Sequence, residues 1–347
     1  MSEEKAKAFL INEKLEDFDF TKTRNYKKIS NLGEGSFGQV ILVKRINRKS
    51  PEDSKIFALK ICKKYNLEFP GSSNDQRPNK ILVTEIRELS ILNKIKRIDN
   101  PYLMRYVDYK INKENKEIWI LMKYFPIDLR TFFYNNLGNP EIINENVFRN
   151  IAFQILSGLN ALHKNGIIHC DIKPENILYE PQEKLAQITD FGLSYTFNYD
   201  IYKNFKVAGG TNPYIPPDVL LGNTNFFISL DIWSFGCVLI ELCTGKIIFA
   251  GNNYIEVLEK IIDIFGPIKK LLPGYDYLAQ KMKVVLKDKE GKGLLNYIKE
   301  NQKIKFENDD FFDFIKQIMN IDSAKRITAE NAMKHKWFSR LDNLKFI

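Results

Sequence analysis

The sequence predicts an α+β protein with two lobes, a small antiparallel β-rich lobe followed by a larger, mainly helical one. At 347 residues the chain exceeds a typical single domain, which favours two lobes. Short β-branched and apolar runs, separated by polar turns, fill residues 26 to 125 as expected of an antiparallel sheet. Beyond Pro126 apolar residues recur every three or four positions, which indicates helices.

In chain order, the first 25 residues are charged and weakly patterned, and we interpret them as an N-terminal extension. Strands are predicted around 40–43, 56–61 and 118–122, where β-branched and apolar residues alternate with turns. The stretch between Lys64 and Lys80 is predicted to be an exposed loop, because its Pro, Gly, Ser, Asn and Asp residues interrupt any regular element.

The second half of the chain carries two clear helix patterns. The first has one apolar face, formed by Phe148, Ile151, Ile155, Leu159 and Leu162. The second, residues 230–243, is apolar nearly all round and is predicted to be buried, with Ser229 as its N-cap and Gly245 at its end. Residues 266–305, rich in lysine and turn residues, are predicted to interrupt the helical lobe as an insertion, and 341–347 form a tail.

Composition excludes several function classes. The formal net charge is +9, but lysines alternate with acids along the chain, so we expect no nucleic-acid binding. The four cysteines show neither disulfide nor zinc spacing and read as reduced thiols of an intracellular protein, cytoplasmic or nuclear. No stretch is long and apolar enough to span a bilayer and the N-terminus is no signal peptide, so no membrane insertion is expected.

The most informative residues lie in the run 169–176 and in the triplet that begins at Asp190, nineteen positions after Asp171. The Asp171 carboxylate can take or orient a hydroxyl proton, and Lys173 can hold a phosphate. Asn176 and Asp190 supply oxygen ligands of the kind that hard divalent cations prefer. Together these groups are suited to moving a phosphoryl group from ATP to a hydroxyl, a reaction that depends on positioning and charge neutralisation.

With further motifs in the same order, the chain resembles the eukaryotic protein kinase family over roughly residues 26 to 340. These motifs are a glycine loop (32–40), a strand lysine motif (57–60), an activation-loop end (210–218), the run 231–236 and the late Arg326. The resemblance implies a bilobal kinase fold with an N-lobe at about 26–125 and a C-lobe at about 126–340. Its hinge, helix and insertion are similar to the cyclin-dependent-like (CMGC) group.

The resemblance also implies a nucleotide site. Its candidate residues are Leu32, Gly33, Glu34, Gly35, Ser36, Phe37, Gly38, Val40, Ala58, Lys60, Met122, Lys123, Tyr124, Phe125, Asp128 and Leu178. Glycines allow the backbone to approach phosphates closely. Lys60 would meet the α- and β-phosphates and needs a helix glutamate to fix it; Glu88 fits the family spacing, and Glu85 is the remaining alternative.

Among the catalytic residues, the resemblance implies that Asp171 is the general base. It also implies that Lys173 neutralises the charge of the γ-phosphate. Asn176 and Asp190 would hold Mg²⁺, and His169 is expected to be a packing residue. The Lys-Pro-Glu-Asn form of the loop is similar to serine/threonine kinases, so the expected substrate is a protein with a Ser or Thr acceptor.

Departures from the family concern regulation. Cys170 replaces the arginine that grips an activation-loop phosphate, the usual phosphosite falls at Lys206, and Ile215 replaces another arginine. Activity independent of loop phosphorylation is therefore expected. The alternative is that another basic residue, such as Arg130 or Lys203, receives a phosphate at a shifted position in the loop. Asp218 replaces the usual glutamate and is expected to reach Arg326 less securely, being one methylene shorter.

Three functions are compatible with these residues. The first is an active ATP- and Mg²⁺-dependent protein kinase; the second is a pseudokinase that acts as a scaffold or allosteric partner. The third, a small-molecule kinase of similar fold, is disfavoured because the segment 211–218 is similar to one that binds peptides. Proline-directed specificity stays open because Gly209 and Gly210 replace the branched residues that shape a proline-selecting pocket. The need for a regulatory protein subunit also stays open.

Overall fold

The computed structural model describes residues 26–35, 38–45, 55–62, 80–112, 117–196, 211–223, 228–283, 285–286 and 289–341. It divides into two compact units, one of residues 1–99 with 103–126 and one of residues 100–102 with 127–347. The predicted N-terminal extension, the predicted loop before Lys80 and the positions Ser36, Phe37, Lys206, Gly209 and Gly210 lie outside the described residues.

The first unit contains a five-stranded antiparallel sheet and one helix. The strands are β1 (Tyr26–Gly35), β2 (Gly38–Arg45), β3 (Ile56–Cys62), β4 (Tyr106–Asn112) and β5 (Glu117–Lys123), in the order β1-β2-β3-β5-β4. Helix α1 spans Lys80–Ile95. One sheet face buries a cluster formed by Ile41, Val43, Leu59, Trp119 and Leu121.

The second unit begins with two short strands and two helices. These elements are β6 (Ile127–Asp128), α2 (Leu129–Asn136), α3 (Glu145–Lys164) and β7 (Ile167–Ile168). Asn144 caps α3 by accepting a hydrogen bond from the Val147 amide. The predicted apolar face of α3 is confirmed, since the five residues from Phe148 to Leu162 named above are all buried.

Short strands follow and frame the chemistry-bearing segments. Strands β8 (Ile177–Glu180) and β9 (Leu185–Ile188) pair with β6 in the order β6-β8-β9, and β10 (Tyr195–Thr196) pairs with β7. Three single-turn 3₁₀ helices cover Pro174–Asn176, Phe191–Leu193 and Asn212–Tyr214.

The remaining elements are helical. They are α4 (Pro217–Leu220), α5 (Ser229–Thr244), α6 (Tyr254–Phe265), α7 (Tyr275–Met282), α8 (Leu294–Asn301), α9 (Asp310–Ile318) and α10 (Ala329–Ala332), with 3₁₀ turns at Ile268–Lys270 and Lys336–Arg340. The α+β class with a β-rich first part and a helical second part is confirmed. No helix among the described residues is long and apolar enough to cross a bilayer.

Helix α5 is the centre of the second unit. Every residue from Leu230 to Thr244 is buried, as the all-round apolar pattern predicts. The helix ends where predicted, with Gly245 in the left-handed conformation at φ 70°. The predicted N-cap is wrong by one position: Ser229 is the first helical residue, and the cap residue Ile228 makes no side-chain capping bond.

Candidate active site

In the first unit, strand β3 and helix α1 bring a lysine and a glutamate together. Lys60 is 8% exposed, and its Nζ donates to Oε1 of Glu88 at 2.7 Å. Leu92 and Ile95 lie one and two turns beyond Glu88 and are buried on the same side of α1. Because a buried charge needs a partner, the pair fixes the Lys60 ammonium in one place. The side chain of Glu85, the alternative partner, lies outside the described residues.

The glycine loop joins β1 to β2, where Gly35 pairs with Gly38. Gly38 has φ 137°, and a Cβ built there would lie 2.1 Å from the carbonyl oxygen of Ile61 on β3, so the backbone conformation and the pairing of β2 with β3 require glycine. At Gly33 a Cβ would meet nothing within 4 Å and the backbone places no such demand. The open space over Gly33 is compatible with the predicted close approach of a phosphate, which stays a prediction.

The other residues predicted to contact a nucleotide lie on both units. In the first unit, Val40 is paired with Lys60 across β2 and β3, and Ala58 is paired with Met122 across β3 and β5. The Lys123 ammonium lies over the ring of Phe125, 5.2 Å from its centroid.

In the second unit, Leu178 is paired with Asp128 across β6 and β8. The Asp128 carboxylate caps helix α2, accepting the Thr131 amide at 2.9 Å and its hydroxyl at 2.8 Å. Asp128 therefore has a structural function beside the predicted nucleotide contact.

The loop after β7 holds the carboxylate of Asp171 with four hydrogen bonds or ion-pair contacts. Its Oδ1 accepts the Thr211 hydroxyl at 2.9 Å and the Thr211 amide at 3.1 Å. Its Oδ2 accepts Nδ2 of Asn176 at 2.9 Å and lies 2.8 Å from Nζ of Lys173. The Lys173 ammonium also donates to the Thr211 hydroxyl at 2.9 Å. The structure thus places two predicted site residues, Lys173 and Asn176, around the carboxylate of a third, Asp171, together with Thr211, to which the sequence analysis assigned no role.

Asn176 and Asp190 are joined through the backbone. The amide of Thr189, next to Asp190, donates to the Asn176 carbonyl at 2.9 Å. Asp190 adopts left-handed φ and ψ angles of 61° and 74°, a conformation that is uncommon for residues other than glycine, although Asp and Asn adopt it more readily than most. Both hydrogen bonds of the Asn176 amide nitrogen go to Asp171, and its Oδ1 receives no hydrogen bond from the described residues.

These two side chains fit Mg²⁺, which binds through one or two protein ligands and completes its octahedron with phosphates and water. Among the described residues, no three His, Cys, Asp or Glu side chains gather into a metal-binding group. The described residues therefore contain no site in which three or more such side chains alone could bind a cation.

His169 is a packing residue, as expected. It is fully buried and its ring packs edge-on against Phe191, with centroids 5.2 Å apart. Its Nδ1 accepts the Asp171 amide at 3.2 Å, which leaves Nε2 to donate to the Thr189 carbonyl at 2.9 Å. Since both ring nitrogens are engaged by backbone groups, this ring is suited to holding the loop and not to proton transfer.

A buried aspartate of α5, which the sequence showed but to which no role was assigned, anchors the same loop. Asp231 is completely buried and accepts the amides of His169 and Cys170, both at 2.9 Å, and lies 2.9 Å from Nε2 of His163. Burial alone would raise the pKa of Asp231, but the hydrogen bond and charge of His163, with His169, hold it below 3.8. The available signal was an acid inside a largely apolar helix, which α5 has at Asp231 and again at Glu241.

Cys170 lies in an apolar environment. It is 5% exposed and packs in a cluster with Ile168, Val219 and Leu230, with left-handed backbone at φ 68°. The four cysteines, all within the described part of the chain, are buried and form no disulfide. A neutral thiol in this cluster cannot bind a phosphate as the family's arginine does.

The expected pair between Asp218 and Arg326 does not form an ion pair in the described structure. Arg326 instead donates to the carbonyls of Ser229 and Asn320, at 2.7 Å and 2.9–3.0 Å. Oδ1 of Asp218 is buried without a hydrogen-bond partner among the described residues. Burial raises the pKa of Asp218, although the charge of Arg326 opposes this. The aspartate is one methylene too short, and the guanidinium is satisfied by the backbone.

Comparison with known proteins gives a consistent result. The protein kinase domain family model matches residues 26–338. The chain is 28% identical over 320 residues to "Cyclin-dependent kinase B2-2" of Arabidopsis thaliana, covering 91% of this chain and 93% of that protein. It is 30% identical over 324 residues to "Probable CTD kinase subunit alpha homolog" of Encephalitozoon cuniculi, covering 92% and 86%. It is 28% identical over 315 residues to "Probable cyclin-dependent kinase 10" of Dictyostelium discoideum, covering 90% and 79%.

Proposed function

Because this chain belongs to the protein kinase family, we propose that it transfers the γ-phosphoryl group of ATP to Ser or Thr hydroxyls of protein substrates. The observation that supports this most directly is the surroundings of Asp171. A general base must present a carboxylate oxygen within hydrogen-bond reach of the attacking hydroxyl, and four contacts hold this carboxylate in place. Thr211 occupies Oδ1 in the free protein and would yield that position to the acceptor hydroxyl.

Each charged group then has one task. Lys173, which already lies beside Asp171, would neutralise the γ-phosphate, and Lys60, fixed by Glu88, would neutralise the α- and β-phosphates. Asn176 and Asp190 would hold Mg²⁺. When bound, Mg²⁺ would supply positive charge to the phosphate oxygens as the phosphoryl group leaves. The protein residues do no covalent chemistry; they position the groups and stabilise charge.

Serine/threonine specificity rests on the catalytic loop. Pro174 and Glu175 follow Lys173 in the Lys-Pro-Glu-Asn form, and the relatives named above carry cyclin-dependent kinase names. A regulatory protein subunit is proposed on the same names. An intracellular location, cytoplasmic or nuclear, is proposed on cysteines that form no disulfide.

We further propose that activity needs no activation-loop phosphate. Cys170 packs among apolar side chains, and the Asp231 carboxylate holds its amide, so the loop has attachments that involve no phosphate. Lys206, at the usual phosphosite, lies outside the described residues. Bacterially expressed, phosphatase-treated protein is expected to be fully competent, with mass spectrometry of residues 190–218 as the control. A large fall in activity that tracks loss of a loop phosphate would contradict this.

The test of transfer uses labelled ATP, Mg²⁺ and a generic basic protein. Asp171→Asn, Lys60→Met and Asp190→Asn should each abolish incorporation of label into Ser or Thr while leaving the melting temperature close to wild type. Phosphoamino-acid analysis separates Ser and Thr from Tyr. Near wild-type turnover in any of the three variants would refute the site assignment.

A pseudokinase scaffold is the second candidate. Among the described residues, one carboxylate oxygen of Asp218 is buried without a hydrogen-bond partner, and Cys170 occupies the position of the family's arginine. This function predicts no transfer by the wild-type protein under any condition, together with a fold that remains intact. Absence of transfer with retained nucleotide binding would favour it.

A further inference from the structure

One arginine outside the predicted site connects three elements of the second unit. Arg130, on α2, places Nη1 2.9 Å from Oε1 of Glu175 and Nη2 2.9 Å from Oε1 of Glu241. It also donates to the hydroxyl of Tyr214, which in turn donates to the other oxygen of Glu241. Its contacts thus reach a 3₁₀ helix at 174–176, a second at 212–214 and helix α5.

One of the two 3₁₀ helices directly follows the predicted catalytic residue Lys173, and the other directly follows Thr211, which bonds to Asp171. Glu175 follows Lys173 by two positions, and Tyr214 follows Thr211 by three. Lys173 and Thr211 are themselves bonded to each other and to Asp171. Arg130 therefore closes a ring of contacts: one arm fixes the loop that carries Lys173, and the other fixes the turn that carries Thr211.

Charge explains why an arginine occupies this position. Glu241 has a completely buried side chain, and Glu175 is 40% exposed, so two carboxylates surround one guanidinium that is 28% exposed. A planar guanidinium can donate to several acceptors in fixed directions, whereas a lysine ammonium is a point charge on a flexible chain. Burial raises the pKa of Glu241, and the Tyr214 hydrogen bond and the Arg130 charge oppose that rise. Without Arg130, a buried carboxylate would face a second carboxylate.

We propose that Arg130 is a positioning residue for phosphoryl transfer, which sets the catalytic loop and the 211–214 turn in their productive arrangement without a phosphate. The proposal rests on the proposed kinase function. Since a misplacement of about 1 Å can lower a rate roughly 100-fold, we expect Arg130→Ala to lower kcat by about 10- to 100-fold. The KM for ATP should change less than about twofold, because the polar partners of Arg130 are Glu175, Glu241 and Tyr214, none of which is a proposed nucleotide residue.

The variants are Arg130→Ala, Arg130→Lys, Glu175→Gln and the double variant Arg130→Ala/Glu175→Gln. Arg130→Lys should recover only part of kcat, since one ammonium cannot serve both carboxylates and Tyr214. The effects on kcat should be non-additive, with the double variant close to Arg130→Ala alone. The matched control is Arg340→Ala, which removes an exposed ion pair with Glu307 in the same unit and should leave kcat unchanged.

A second readout separates this proposal from the kinase function. Hydrogen exchange should accelerate in peptides covering 169–176 and 211–223 of Arg130→Ala and not elsewhere in the second unit. If wild-type protein shows no transfer but this change appears, the kinase function fails and the positioning contact stands. Unchanged kcat and unchanged exchange in Arg130→Ala would overturn the proposal. So would a rise in activity towards basic peptides, which would show that the arginine blocks a substrate-binding pair of carboxylates.

Discussion

Replacement of Asp231 by asparagine should destabilise the second unit strongly. Oδ2 accepts the His169 amide and contacts His163, and Oδ1 accepts the Cys170 amide, all at 2.9 Å. An asparagine has one acceptor oxygen. If that oxygen occupies the Oδ2 position, the Cys170 amide loses its acceptor; in the other orientation two contacts are lost.

The magnitude follows from these contacts. One buried amide left without an acceptor costs about 1–3 kcal/mol. The two remaining bonds lose their ionic character, and neutral hydrogen bonds are worth roughly half of charge-assisted ones, or about 1 kcal/mol less each. We therefore expect Asp231→Asn to lower the free energy of unfolding by about 3–5 kcal/mol. Cys170 should also leave its left-handed conformation more readily, since the bond from its amide holds it there.

Urea unfolding followed by tryptophan fluorescence measures this loss. Trp233 lies on the same helix and, like Trp337, is buried in the second unit. A Trp119→Phe background removes the tryptophan of the first unit from the signal. The matched control is Asp263→Asn, a partly exposed carboxylate paired with the exposed Lys289, which should cost less than about 1 kcal/mol. A loss below about 1 kcal/mol for Asp231→Asn would refute the anchoring argument.

The sign of the pH dependence provides a further check on Asp231. Its folded-state pKa lies below the ordinary value of 3.8. The stabilisation is therefore fully present above pH 3.8 and is lost as the pH falls through the lower, folded-state value. Asp231→Asn should remove this part of the acid sensitivity, and urea titrations at a series of acidic pH values would show it. An unchanged acid profile in Asp231→Asn would contradict the assignment.

Two further outcomes are expected from the described contacts. Asp218→Glu should reach Arg326 and raise the free energy of unfolding by about 1–2 kcal/mol, because it gives a buried carboxylate oxygen a partner; an unchanged or lower urea midpoint would contradict this. Gly38→Ala should lower the free energy of unfolding of the first unit by about 1–3 kcal/mol, because the added Cβ clashes with the Ile61 carbonyl. Gly33→Ala should leave stability unchanged and weaken nucleotide binding. Calorimetry with ATP analogues and thermal melts separate the two glycines, and equal effects at both positions would refute the distinction.

Sequence periodicity was sufficient for the elements with one simple environment. The apolar face of α3 and the all-round apolar α5 follow directly from spacing, because burial on one face or on every face selects residue type at each position. The end of α5 at Gly245 follows from its left-handed backbone. The start of α5 was not predicted correctly. Serine is a common N-cap residue, but here Ser229 is the first helical residue and the cap residue, Ile228, makes no side-chain capping bond.

For the candidate site, the sequence could indicate only those residues that belong to a known motif. Thr211, Arg130 and Glu241 act through partners that lie tens of residues away in sequence, and no local pattern indicates such contacts. Asp218 and Arg326 form no ion pair because aspartate is one methylene group shorter than glutamate and because backbone carbonyls accept the hydrogen bonds of Arg326. These carbonyls can be identified only from the three-dimensional structure. Long-range polar contacts are thus the part that sequence reasoning misses.

Three of the attachments that hold the proposed catalytic loop share one property. Asp231 holds its amides from α5, Thr211 bonds to Asp171 from the following turn, and Arg130 bonds to Glu175 from α2. Each attachment is made by unmodified charged or polar groups of the second unit, so none of them requires phosphorylation to form. In a kinase that depends on a loop phosphate, a cation next to the catalytic aspartate would have no partner before phosphorylation. Here that position is a cysteine in an apolar cluster, and the cation that we propose to position the loop is Arg130, whose partners Glu175 and Glu241 carry their carboxylates without modification.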